Sequence, residues 1–406
     1  MLIDKYIPIV GKNVIEEIKL LSSFISGKVI QHINSTAVGG GVAEILNRIM
    51  PLFEDLGITA YWDIIRGDTT FFRITKKIHN ALHGKDVSLT HRDIEYYLHI
   101  TEENMKRMRF NGDIIVIHDP QPLGLIEKRN NDGKKWVWRC HVDVAKAKES
   151  VWNFLQKYII KYDKVIFSAP SFSKPLPIEQ ILIPPSIDPL SDKNKELDEE
   201  VINSVLQKYG ISKDKPIIAQ VSRYDFLKDP LGVIEAYRIV KKSIDCQLVL
   251  AGNIATDDPE HDEVLNACKE KAGDDPDIHL LVIDPANNDI EINSLQRAAD
   301  IILQKSIREG FALTVTEALW KAKPVIASNV GGIPLQIIHK HSGILVHSIE
   351  GCAYWIKQLL KNPEYAKKLG ENGKEHVRNN FLITRHLRDY LLLYLSLYNS
   401  EDIVNL

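Results

Sequence analysis

The sequence predicts an α/β protein of two domains, each a parallel sheet covered by helices. Short β-branched runs alternate with amphipathic helical stretches, the pattern of strands joined by crossover helices. The alternation pauses at a polar, proline-marked stretch and then restarts. A length of 406 residues exceeds one ordinary domain and suits two of roughly 200. In order, residues 28–34 (KVIQHIN) read as a strand, 41–57 (GVAEILNRIMPLFEDLG) as a helix and 58–65 (ITAYWDII) as a strand. Residues 113–119 (DIIVIHD), 136–142 (WVWRCHV) and 164–167 (KVIF) continue the first sheet. Prolines and charges gather in IPPSIDPLSDKNKELDEE, which places a linker near residues 184–195. The strands PIIAQVS, QLVLAG, IHLLVI, DIILQ and PVIAS then build a second sheet. The predicted domains, both Rossmann-like, are residues 1–190 and 191–382. The tail ITRHLRDYLLLYLSLY is a helix with one broad apolar face, so it must cover protein surface, with the first domain as the candidate.

Composition narrows the function. A formal charge of -3 gives no electrostatic reason to expect a nucleic-acid or anionic-membrane partner, which leaves small molecules. The amino terminus lacks the apolar core of a signal peptide, and no apolar run approaches the roughly 18 residues of a membrane span. A cytoplasmic location is the expectation. The four cysteines lie far apart without a Cys-x-x-Cys pair, so they read as reduced packing residues rather than zinc ligands or disulfides.

Ligands of open α/β sheets bind at the carboxyl ends of the strands, so the loops that follow strands hold the candidates. After the first strand come Gly39, Gly40 and Gly41, which let backbone amides approach an anion at a helix start. Their spacing is not Gly-x-Gly-x-x-Gly, which disfavours an NAD enzyme. Two further strands end in His118, Asp119 and Gln121 and in Arg139, His141 and Asp143, polar groups suited to sugar hydroxyls. In the second half, Arg223 and Lys228 share one loop, read as free of any packing role, and two cations there suit a diphosphate. Glu309 and Gly310 precede a predicted helix that begins near Leu313 and contains Glu317, so the helix amides and the Glu309 carboxylate fall near each other. Gly331 and Gly332 supply another close backbone turn.

Glu309 to Glu317 resembles the Glu-x7-Glu motif of the large retaining glycosyltransferase family that contains sucrose and trehalose synthases. HINSTAVGGGVAEIL, HDPQP, WRCHVD, PPSIDPLS and QVSRYD resemble segments of the trehalose glycosyltransferring synthases. The resemblance implies the GT-B architecture, two Rossmann-like domains whose parallel sheets face each other across a cleft. It also implies transfer of glucose from a nucleotide diphosphate glucose (UDP-glucose or ADP-glucose) to free glucose, giving trehalose. Arg223 and Lys228 would hold the diphosphate, Glu309 the donor hydroxyls and Glu317 the ribose. Gly39 to Gly41, with Gly310, Phe311, Ala312, Leu313 and Thr314, would line the donor, and His118, Asp119, Gln121, Arg139, His141 and Asp143 would surround the sugars. No tightly bound cofactor is implied. A divalent cation such as Mg2+, the donor base and the oligomeric state, a homodimer included, stay open. Two departures stand out: Ala312 and Asp229 occupy positions where glycine is common. The alternatives are a trehalose phosphorylase or other sugar transferase of the same fold, and a nucleotide-sugar sensor without turnover.

Overall fold

The computed structural model describes residues 1–37, 40–253, 260–284 and 288–398. The chain forms two compact units: Met1–Ser186 together with the segment that starts at Ile383, and Ile187–Leu382.

In the first unit β1 (Val29–Asn34), β2 (Thr59–Ile64), β3 (Ile114–His118), β4 (Lys135–Arg139), β5 (Lys164–Phe167) and β6 (Glu179–Leu182) lie in the order β2-β1-β3-β4-β5-β6. Every pairing is parallel. β3 is buried along its whole length, as strands covered on both faces must be. The core joins Ile30, Ile114 and Val116 of the sheet to Ile15 and Ile18 of helix Lys12–Phe24. Leu387, Tyr390, Leu391 and Tyr394 of helix Ile383–Ser396 belong to the same core, so the tail's apolar stripe is buried on this unit.

The second unit holds β7 (Ile217–Val221), β8 (Gln247–Asn253), β9 (Ile278–Ile283), β10 (Ile301–Gln304), β11 (Val325–Ser328) and β12 (Ile344–Val346), in the order β12-β11-β10-β7-β8-β9 and again all parallel. Its core centres on Ile218, Leu248, Leu250, Leu303 and Ile326 with helix Pro230–Lys241. The strand pattern of the sequence did not contain β6 or β12. Both are edge strands: β6 is partly exposed along its length and so lacks the buried apolar run that marks the equally short β5, and β12 has only three residues.

Each sheet reverses its strand order once, between β1 and β3 and between β7 and β10. At such a switch point the neighbouring loops diverge and leave a crevice beyond the strand ends. The loops at each switch point therefore carry that unit's candidate residues. All four cysteines are buried free thiols. Among the described residues no helix is long and apolar enough to cross a membrane.

Candidate active site

At the second unit's switch point one buried amide joins the two loops. Gln220, in the buried strand β7, donates from Nε2 to the Lys228 carbonyl at 3.0 Å and accepts from the Lys305 amide at 3.0 Å. The Ile307 amide adds a bond to the Leu227 carbonyl at 2.8 Å. This staple sets Lys228 against Glu309: Lys228 Nζ lies 2.5 Å from Glu309 Oε2, and the same oxygen accepts from Ser306 Oγ at 3.1 Å. The Glu309 side chain is 9% exposed and that of Lys228 18%. The structure thus brings Lys228 and Glu309 together and corrects one expectation, since Lys228 is engaged in the packing of its loop. Arg223 is separate. Its side chain is 54% exposed and lies 3.6 Å from Asp225.

The Glu309 loop is shaped by close backbone approach. A Cβ at Gly331 would stand 1.6 Å from the Glu309 carbonyl oxygen, and φ there is +56°. The Gly332 amide donates to the Gly310 carbonyl at 3.1 Å. Phe311 is buried, with its ring 5.6 Å from that of Phe381, and its carbonyl accepts from Gln336 Nε2. It is a packing residue. Ala312, at φ 70°, turns the chain into helix Leu313–Trp320, where Thr314 Oγ1 donates to Gln304 Oε1 at 3.0 Å. Glu317 is buried in that helix, 3.8 Å from Lys193 Nζ, and accepts from Gln296 Nε2 at 3.4 Å. Burial pushes the neighbouring Lys321 ammonium down to about 7, against the pull of Glu317.

In the first unit Gly39 lies outside the described residues, and helix Gly40–Asp55 begins with Gly40 and Gly41. Asp119, directly after β3, adopts a left-handed φ of 65°, rare for a residue with a Cβ. This turn folds its carboxylate onto the next loop, where Oδ1 accepts from the His141 amide at 2.7 Å. Burial pushes the Asp119 carboxyl up to about 6, opposed by that amide and by the charge of Arg139. The imidazoles form a row: His32 Nδ1 lies 2.9 Å from His118 Nε2, and His118 Nδ1 3.0 Å from His141 Nε2. Burial holds all three below the usual histidine range. Arg139 is fully buried and donates to Ser168 Oγ at 3.4 Å, while its Nε and Nη1 find no partner among the described residues. Gln121 Oε1 is likewise buried without a partner. Asp143 Oδ1 accepts from the Ala145 amide at 2.9 Å in a local turn. Among the described residues no group of three or more His, Cys, Asp or Glu side chains could hold a metal ion.

Residues 32–174 match the family described as trehalose synthase, N-terminal domain, and residues 202–376 match glycosyl transferases group 1. A trehalose synthase of Pyrococcus horikoshii is 43% identical over 394 residues, 96% of this chain and 95% of that protein. The chain belongs to the trehalose synthase family. A second trehalose synthase, from Rubrobacter xylanophilus, is 42% identical over 97% of this chain and 96% of its own length. The two-domain GT-B fold is shared with a UDP-forming α,α-trehalose-phosphate synthase from Burkholderia vietnamiensis, at TM-score 0.71 and 13% identity over 92% of this chain and 97% of that one.

Within this trehalose synthase-family chain, the two departures from glycine share a backbone cause. Asp229 has φ and ψ of 49°, and Ala312 has φ 70° and ψ 76°. Both are left-handed, a conformation that glycine adopts without steric cost. Asp229 is compensated: its carboxylate caps helix Pro230–Lys241 through the Gly232 amide at 3.1 Å and pairs with Lys305. Ala312 caps its helix without a side-chain hydrogen bond. We therefore expect Ala312→Gly to raise stability by about 1 kcal/mol, whereas Asp229→Gly, which relieves the same strain but loses the cap and the Lys305 pair, lowers it by roughly 0.5 kcal/mol. Melting temperatures of the two variants shifting in the same direction would reject this explanation. Sequence reasoning missed Gln220, Ser306, His32 and Tyr394. For Gln220 the signal was present, a polar residue inside the otherwise apolar strand IIAQV, whereas His32 sits among other polar residues in VIQHIN.

Proposed function

We propose that the chain transfers glucose from a nucleotide diphosphate glucose to free glucose, forming α,α-trehalose with retention at the donor carbon. The observation that carries this reading is the Lys228–Glu309 pair at the switch point of the second sheet. Among the described residues both donors to Glu309 engage Oε2, so Oε1 is open to a sugar hydroxyl, and a lysine held beside it is placed for a departing phosphate. Arg223, exposed on the same loop, supplies the second cation. Glu317 takes the ribose, and the helix amides at Leu313 and Thr314 face the phosphates. Gly39 to Gly41 approach the donor, while His118, Asp119, Gln121, Arg139, His141 and Asp143 define the sugar subsites.

The acceptor hydroxyl attacks the anomeric carbon on the face from which the diphosphate leaves. Its oxygen bonds to that carbon as the carbon–phosphate oxygen bond breaks, and its proton passes to the leaving phosphate oxygen. Lys228 and Arg223 stabilise the charge on that group, and Glu309 orients the sugar. UDP-glucose and ADP-glucose are the proposed donors, in a cytoplasmic setting with small-molecule partners. The test is a product assay with glucose and a panel of nucleotide-glucose donors. Trehalose formation supports the proposal. Glucose release from trehalose only when phosphate is supplied identifies a phosphorylase instead, and donor binding without turnover identifies a sensor.

The pH dependence is opposite for activity and stability. The Asp119 carboxyl, raised to about 6, accepts from a sugar hydroxyl more strongly once ionised, so kcat/KM rises through about pH 6. The three histidines, held lower by burial, contribute no limb there. The folded-state value lies above the unfolded 3.8, so the stability contributed by this group is complete below 3.8 and is lost as pH rises through about 6. Asp119→Asn keeps an acceptor for the His141 amide and abolishes the limb. A limb that persists in that variant assigns it to another group.

A further inference from the structure

The row of imidazoles has a fourth member. Tyr394 Oη, on helix Ile383–Ser396, lies 3.2 Å from His32 Nε2, so the chain of contacts runs Tyr394, His32, His118, His141. Tyr394, His32 and His118 are almost wholly buried, and only His141 is partly exposed. Its three links join residues 362, 86 and 23 positions apart in sequence.

Burial keeps each imidazole neutral, with one N–H and one lone pair. Every contact needs one donor and one acceptor, so the row has only two self-consistent polarities. In one, Tyr394 donates to His32 Nε2, His32 Nδ1–H donates to His118 Nε2, His118 Nδ1–H donates to His141 Nε2, and His141 carries its proton on Nδ1. In the other every bond is reversed, and His141 carries its proton on Nε2. The ends decide between them. His141 Nδ1 makes no hydrogen bond among the described residues and belongs to a partly exposed side chain, so water or a ligand satisfies it in either state. Tyr394 is 0% exposed, and His32 Nε2 is its one hydrogen-bond partner among the described residues. The reversed polarity would leave its buried hydroxyl proton unpaired, a penalty that biases the populations roughly tenfold or more.

We infer that Tyr394 is a positioning residue which, through His32 and His118, fixes His141 in the Nδ1–H tautomer, so that His141 offers its ligand a donor rather than a lone pair. The tautomer follows from the structure alone, and its consequence for turnover rests on the transferase reading. In that reading His141 donates to a sugar oxygen, while the neighbouring Asp119 carboxylate accepts from a hydroxyl, so the pair recognises both halves of a diol.

Two-bond proton–nitrogen correlation spectra of the full chain with 15N-labelled histidine read the tautomer directly, His141 being assigned by its disappearance in His141→Gln. The expected wild-type result is an Nδ1–H tautomer at His32, His118 and His141. Tyr394→Phe is expected to lower the Nδ1–H to Nε2–H ratio at His141 roughly tenfold or more. Tyr390→Phe removes the hydroxyl of a ring that lies against His32 without bonding to it, and should leave the ratio unchanged. Wild-type His141 protonated on Nε2 overturns the inference even if neither variant folds. A folded Tyr394→Phe protein with the wild-type ratio also overturns it, as does an equal shift in Tyr390→Phe. Absence of trehalose formation beside the expected tautomer rejects the transferase reading and leaves the relay standing. If both hold, Tyr394→Phe lowers kcat/KM about tenfold with nucleotide affinity unchanged.

Discussion

Lys228→Met lowers kcat/KM for trehalose formation by about a hundred- to a thousandfold, the equivalent of about 3–4 kcal/mol of lost transition-state stabilisation. Methionine keeps the stem of the side chain and removes the ammonium. The loss has two sources. The departing diphosphate loses a cation, and Glu309, with its side chain 9% exposed, keeps the Ser306 hydroxyl as its one hydrogen-bond donor among the described residues. A carboxylate deprived of its partner is costly to bury, so the variant also loses stability, by about 1–3 kcal/mol at this partly screened position. Glu309→Gln added to Lys228→Met removes the orphaned charge and restores the melting temperature without restoring turnover. Arg223→Met separates the two effects from the other side: the exposed guanidinium is lost with little change in stability, and turnover falls. Kinetics and thermal denaturation of the four proteins check these expectations. A Lys228→Met enzyme with near-normal kcat/KM removes Lys228 from the proposed chemistry.

Gly331→Ala is expected to destabilise the second unit by about 2–4 kcal/mol, from the strain of a left-handed alanine and from steric overlap. The added methyl would meet the Glu309 carbonyl oxygen at 1.6 Å and its carbon at 2.7 Å. Those are backbone atoms, which cannot swing aside like the end of a flexible side chain, so the loop that carries Glu309 must move. Turnover therefore falls by more than the loss of folded protein explains, and the melting transition drops by about 6–12 °C. Gly351→Ala is the control. Its Cβ would come only within 3.3 Å of Ser348 Oγ, and its melting temperature stays close to wild type. A Gly331→Ala protein with wild-type melting and turnover would show that the Glu309 loop does not depend on this approach.

Much of the fold was legible because strand burial in a parallel α/β sheet writes itself into the sequence locally. β3 and β7 are buried at every position, and their sequences IIVIH and IIAQV read as apolar runs. The loops after those strands hold Asp119 and Lys228, so the candidate positions for the proposed chemistry followed from the same pattern. What a run of residues cannot encode by itself is the identity of a distant partner. Lys228 and Glu309 are 81 residues apart, and nothing in either segment says that they form an ion pair or that Gln220 locks their loops together. The left-handed turns at Asp229 and Ala312 were visible only as missing glycines, because φ is set by the loop's closure and not by the side chain alone. Tyr394 looked like one more apolar face residue of a terminal helix, and the helix had to be packed on the first unit before its hydroxyl met His32. Local periodicity thus determined the sheets and the strand ends that carry polar groups. Tertiary structure decided which of those groups touch, because contact is a property of two segments brought together and periodicity is a property of one.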